Sequence, residues 1–248
     1  ICNIGLMTGL SALVKPLRVN PTIILRDGVF SIIVPILVFA VSTGGQITRL
    51  EGLAFFLLFI PYTINVILYE RQMTAKQKQA YVEELVIELD LLGFDFGKLK
   101  PGWLTFILGL AFLLVGAQVF GAQLISLAQQ FRINELVIGV TLGALGPSIP
   151  NIVAAYNAAK KGMGEIAVSE TLGSNIFTML VTLGISAMLA PVVISSEWLN
   201  FDLPALIIMS FLLFVFILTG HTVSKREGVV LMGGYIGIVI LQVIRSLI

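Results

Sequence analysis

Ile1-Cys2-Asn3-Ile4-Gly5-Leu6-Met7-Thr8-Gly9-Leu10-Ser11-Ala12-Leu13 lies against Ile176-Phe177-Thr178-Met179-Leu180-Val181-Thr182-Leu183-Gly184-Ile185-Ser186-Ala187-Met188, two copies of one unit roughly 175 residues apart. Ile1, Gly9, Ser11, Ala12 and Pro16 fall on Ile176, Gly184, Ser186, Ala187 and Pro191. Asp27 falls on Asp202. One residue further out of step, Thr43-Gly44 and Glu51-Gly52 fall on Thr219-Gly220 and Glu227-Gly228. Just ahead of the second copy stands Gly143-Ala144-Leu145-Gly146-Pro147-Ser148-Ile149-Pro150-Asn151-Ile152-Val153-Ala154-Ala155, an apolar stretch interrupted by two prolines. A duplicated membrane unit with an interrupted helix is a frequent build of secondary transporters, with the ion site where the repeats meet.

The composition fixes the class. Of 248 residues 57% are apolar and 12% charged, with a mean hydropathy of +1.01, more apolar surface than a soluble domain of this size can hide. The chain is therefore integral to the lipid bilayer, and its long apolar stretches are read below as helices, an all-α fold. A net charge of +1 argues against a nucleic-acid partner. The single Cys2 can form no internal disulfide, and the single His221 lacks partner ligands for a metal.

Spanning a bilayer takes about 20 mostly apolar helical residues. Such stretches lie near 22–42, 50–69, 103–127, 133–159, 165–190, 202–220 and 228–247, and residues 1–14 form an apolar stretch too short to cross. That short stretch and the absence of an initiating Met point to a fragment whose N-terminal helices are missing partners of this chain. Alternating the spans gathers twelve Lys and Arg on one side, Lys15, Arg71, Lys160 and Arg226 among them, against Arg49, Arg132 and Arg245 on the other. The basic side is cytoplasmic, so the C-terminus lies outside. Five spans separate the starts of the two copies, an odd number, so they insert with opposite topology. The expected whole is an inverted-repeat, ten-helix architecture of which about seven and a half spans are present. Residues 1–69 are the rest of the first five-helix repeat, 70–102 a cytoplasmic connecting loop, and 103–248 the second repeat with its motif at 143–190. In the loop, Val82, Leu85, Val86, Leu89 and Leu92 share a helical face, read either as a packed interfacial helix or as part of an acidic calcium-regulatory site, without EF-hand spacing.

Pro147 and Pro150 each remove a backbone donor, and Gly146 loosens the same turn. Their expected effect is a broken helix near mid-membrane with free carbonyls, the alternative being a plain kink. Ser148 and Asn151 add oxygens there. In the next span Glu170, Ser174 and Thr178 are spaced to line one face. A carboxylate inside a span costs about 2.5–3.5 kcal/mol on insertion scales, so Glu170 reads as an ion ligand unless it lies at the rim. Trp103 and Trp198 fit interfacial anchors. No catalytic triad, Cys/His cluster or phosphate-cradling loop is present, so the chain is not read as an enzyme, and no cofactor is expected.

Gly146-Pro147-Ser148-Ile149-Pro150-Asn151, followed after a Lys-Lys-Gly turn by Gly173-Ser174-Asn175-Ile176-Phe177, resembles the second alpha-repeat of the calcium/cation antiporter superfamily, nearest the prokaryotic sodium/calcium exchangers. Ile1-Cys2-Asn3-Ile4-Gly5 resembles the tail of the first alpha-repeat. The resemblance implies exchange of Ca2+ for Na+ in a prokaryotic inner membrane, and it places Asn3 in the ion site. The expected cation ligands are thus Asn3, Ser148, Asn151, Glu170, Ser174 and Thr178, with Glu170, Asn151 and Ser148 foremost for a divalent metal. The sequence departs from the pattern where Asn151 replaces the acid after the proline, Pro147 the Thr before the Ser, and Thr178 a position often acidic or amide. One lost charge implies an altered number of coupled ions, or a proton- or potassium-coupled exchanger, or a transport-inactive scaffold or regulatory homologue.

Overall fold

The structure, a computed structural model, describes residues 1–72, 102–131 and 138–247. The amphipathic stretch at 82–92, and with it the calcium-regulatory reading, lies outside the described residues.

The two copies match element by element. A π-helical segment Asn3–Thr8 runs into the α-helix Gly9–Val14, and Thr178–Thr182 runs into Leu183–Leu189 in the same way. Next come two-residue strands, β1 (Leu17–Arg18) in the first copy and β3 (Val192–Val193) in the second. A second π segment opens the following helix in each: Ile24–Gly28 before Val29–Ser42, and Trp198–Asp202 before Leu203–Gly220. Strands β2 (Gln46–Ile47) and β4 (Thr222–Val223) lead into the closing helices Arg49–Gln72 and Lys225–Leu247.

The short strands bind the copies together by exchange. β1 pairs antiparallel with β4, Leu17 opposite Val223, and β2 pairs with β3, Ile47 opposite Val192. Each copy's first strand thus takes the other copy's second, in matching register. The turns obey the same rule. Gly45 (φ +80°) and His221 (φ 48°) both adopt the left-handed conformation after a long helix. Their carbonyls accept equivalent hydrogen bonds, from Ile194 and Val19 respectively, each at 2.9 Å. His221 is a helix-terminating turn residue, and its αL geometry is what glycine supplies more easily at position 45. The closing helices start with paired caps: Glu51 accepts from the Thr48 N–H and Glu227 from the Ser224 N–H, both at 2.7 Å.

Glycine sets how closely the helices approach. A Cβ on Gly52 would sit 2.6 Å from the Gly184 carbonyl oxygen, and one on Gly228 would sit 2.9 Å from that of Gly9. These are equivalent contacts in the two copies, and only a hydrogen fits there. Two cores flank the interior. One gathers Ile4, Met7, Leu17, Leu172 and Leu213, the other Val38, Ile47, Phe55, Ile176 and Leu180.

Six described helices are long and apolar enough to cross a membrane, and Asn3–Val14 is a shorter apolar helix. The Trp103–Phe131 helix exposes Trp103, Leu104, Phe106 and Phe112, an apolar surface made for lipid. The protein is an all-α integral membrane protein.

One expectation is corrected. The stretch holding Gly146, Pro147 and Pro150 is not broken, because the α-helix Ala144–Lys160 runs through both prolines. The irregular backbone lies one turn earlier, in the π-helical segment Gly139–Gly143. The residues four before the prolines are Gly143 and Gly146. A proline ring presses on the carbonyl of residue i−4, and glycine lets that peptide tilt without a side-chain clash. Gly146 also admits the Phe120 ring, whose Cζ would lie 2.6 Å from a Cβ at that position.

Candidate ion-binding site

Three helical segments converge on Asn3. This residue opens the first copy's π segment, and its repeat equivalent Thr178 opens the second copy's. The Asn3 side chain accepts a hydrogen bond at Oδ1 from Ser148 Oγ (3.1 Å) and donates from Nδ2 to Ser174 Oγ (3.0 Å). A longer contact from Nδ2 reaches Asn175 Oδ1 at 3.5 Å. One amide thereby ties the Ala144–Lys160 and Gly164–Phe177 helices to the first copy. Each such bond contributes roughly 0.5–1.5 kcal/mol, and the orientation of the amide follows from the hydroxyl network around it. One turn below, the Thr8 and Thr171 hydroxyls meet at 2.8 Å, and Thr171 also donates to the Ala167 carbonyl.

A cavity of about 600 Å³ opens beside this cluster. Asn3, Ser148, Asn151, Ser174 and Thr178 all line it. Five of the six ligands expected from the sequence are therefore brought to one chamber. Glu170 is not: it is exposed and absent from the wall. An α-helix advances about 100° per residue, so eight residues overshoot two turns by about 80°. Ser174 and Thr178 still reach the chamber, while Glu170 has rotated away from it.

The structure adds residues that spacing did not single out. Thr182, Ser186 and Trp198 also line the cavity, and Trp198 opens a membrane span as well. Among the described residues that line the cavity, Asp202 is the one carboxylate. It is 6% exposed, and its Oδ1 accepts a hydrogen bond from Gln242 Nε2. The signal for Asp202 was in the sequence, since it sits inside an apolar stretch where the cost of a carboxylate applies as it does to Glu170.

Hydroxyl and amide oxygens are hard donors that replace the hydration shell of Na+ or Ca2+. Among the described residues no group of three His, Cys, Asp or Glu side chains is close enough to hold a metal. What the wall offers a cation is mainly neutral oxygens.

Comparison with known proteins agrees with this chemistry. The profile of the sodium/calcium exchanger protein family matches residues 1–68 and 101–244. Sodium/calcium exchanger MaX1 of Methanosarcina acetivorans is 30% identical, over 97% of this chain and 76% of that protein. Inner membrane protein YrbG of Escherichia coli is 27% identical over 95% of this chain and 72% of its own length. A structure of the sodium-calcium exchanger NCX_Mj, soaked with Na+ and Sr2+, superposes with a TM-score of 0.63 at 26% identity, covering 95% of this chain and 71% of that one. The chain belongs to the sodium/calcium exchanger protein family.

Proposed function

We propose that the protein exchanges calcium for sodium by alternating access, with cations held between the two repeats at Asn3, Ser148, Asn151, Ser174 and Thr178. The observation that carries this reading is the Asn3 amide, which holds Ser148 and Ser174 on two different helices at the edge of one cavity. A ligand shared by both copies is sensitive to their relative movement. Rocking one copy against the other breaks or remakes the set, so occupancy and conformation are coupled.

Charge supplies the rest of the mechanism. A divalent ion among neutral oxygens leaves a net positive charge in a low-dielectric interior, which opposes reorientation. Asn151 in place of an acid raises that barrier, so fixed negative charge elsewhere in the protein must complement the cargo. The repeats insert with opposite topology in a prokaryotic inner membrane, the central loop faces the cytoplasm and the C-terminus faces outside. This placement rests on the distribution of Lys and Arg between alternate loops.

The test is radioactive calcium uptake into vesicles bearing the complete protein. Uptake that requires an imposed sodium gradient is the expected result. Folded protein that moves calcium equally well without the gradient, or not at all, overturns the reading.

A further inference from the structure

The two repeat-equivalent aspartates are treated differently by their surroundings. Asp27 is 1% exposed and fully engaged: Arg26 donates from Nε to Oδ1 (2.7 Å) and from a terminal guanidinium nitrogen to Oδ2 (2.6 Å). This bidentate pair neutralises the carboxylate where it is buried. In the second copy the residue before the aspartate is Phe201, so the arginine is lost. Among the described residues Asp202 makes no ion pair. Arg245, within a turn of Gln242, packs its guanidinium over the Phe201 ring, 4.9 Å from the centroid.

Around Asp202, Arg245 stands within electrostatic reach without pairing, and two acceptors are left without donors. Asp202 Oδ1 is occupied by Gln242, but its Oδ2 is buried with no hydrogen-bond partner, and so is Gln242 Oε1. Gln242 is 5% exposed. A buried carboxylate oxygen and a buried amide oxygen, both without donors, form an unfavourable arrangement that a proton on the carboxyl group or a cation beside it relieves. The carboxylate lines the chamber that holds Asn3 and Ser174, so a cation in that chamber has direct access to it.

We propose that Asp202, assisted by Gln242 Oε1, is a binding site for a monovalent alkali cation of sodium's kind, distinct from the Asn3–Ser148–Ser174 cluster but opening into the same cavity. The choice of a monovalent ion follows from charge. One carboxylate cancels one positive charge, and the other donors in the wall are neutral oxygens. The site restores to the second copy a fixed negative charge that Asn151 and Thr178 do not provide. The assignment rests on the cation-exchange reading above and names where one coupling ion is held.

The test compares the complete wild-type protein with Asp202→Asn and Gln242→Leu in two measurements. Monodisperse elution of each variant in detergent is the control for folding, and the first measurement is calcium uptake by vesicles. The sodium concentration that half-drives calcium uptake is expected to rise about tenfold or more in Asp202→Asn, and in the same direction in Gln242→Leu. An unchanged sodium dependence in both variants overturns the proposal. In detergent, sodium chloride against choline chloride is expected to raise the melting temperature of the wild type, and to do so less in Asp202→Asn, because a ligand stabilises the state it binds. An equal response of wild type and Asp202→Asn overturns the proposal even if the variant transports nothing. A wild type that moves no calcium under any gradient defeats the exchange reading, while the melting measurement still reads Asp202 by itself.

Discussion

At the scale of single residues, the candidate site gathers neutral oxygens around one amide, and position 151 is where charge is adjustable. Asn151 lines the cavity beside Ser148 on the same helix. Asn151→Asp is expected to lower the calcium concentration that half-saturates transport on the order of tenfold, because Ca2+ affinity tracks the number of charged oxygen ligands. Uptake measured against calcium concentration checks this. Glu170 stands in contrast. Exposed and outside the cavity wall, it is expected to tolerate Glu170→Gln with calcium flux within about twofold of wild type, the usual scale for surface changes. Spacing in the sequence put Ser174 and Thr178 on the face that lines the cavity, but extending that face two turns back from Thr178 to Glu170 ignored the drift of the helix. Asp202 was passed over for the opposite reason. Its match to Asp27 and the change from Arg26 to Phe201 were both legible, yet only the structure shows that Arg26 pairs with Asp27 and so what its loss leaves behind.

Among the elements, duplication was the most legible feature and also the one with the most structural consequence. The glycines that matched in the alignment turn out to pair across the copies, Gly9 with Gly228 and Gly52 with Gly184. Gly52→Ala is expected to cost about 1–3 kcal/mol, since its Cβ would meet a backbone carbonyl that cannot rotate away. Gly109→Ala, where a Cβ meets nothing within 4 Å, is the matched control and is expected to change stability by less than about 0.5 kcal/mol. Thermal unfolding of the purified variants measures both. The π segments and two-residue strands had no readable signature. A π turn differs from an α turn by one residue of slack, and a two-residue strand is too short to show alternation. The prolines misled for a local reason. Gly143 and Gly146 stand where the proline rings press, so the expected break became a helix that continues.

Across the whole molecule, apolar composition and charge placement define a membrane protein before any fold is known. The exposed apolar helix Trp103–Phe131, the two cores and a largely apolar cavity that carries Asn3, Ser148 and Asp202 in its wall give that reading a shape. The exchange of strands between copies makes the repeats one mechanical unit: β1–β4 and β2–β3 lie at equivalent places, so a rearrangement of one copy is felt at both junctions. The alternating access proposed above would therefore work against the Asn3 hydrogen bonds, which join the copies at the cavity. The most direct measurement is sodium-gradient-driven calcium uptake by vesicles of the complete wild-type protein, run beside Asn3→Leu. Sodium-dependent uptake in the wild type, reduced more than about tenfold in an Asn3→Leu protein that inserts and folds normally, is the expected result. Equal uptake by the two proteins would contradict the placement of the ion path at Asn3.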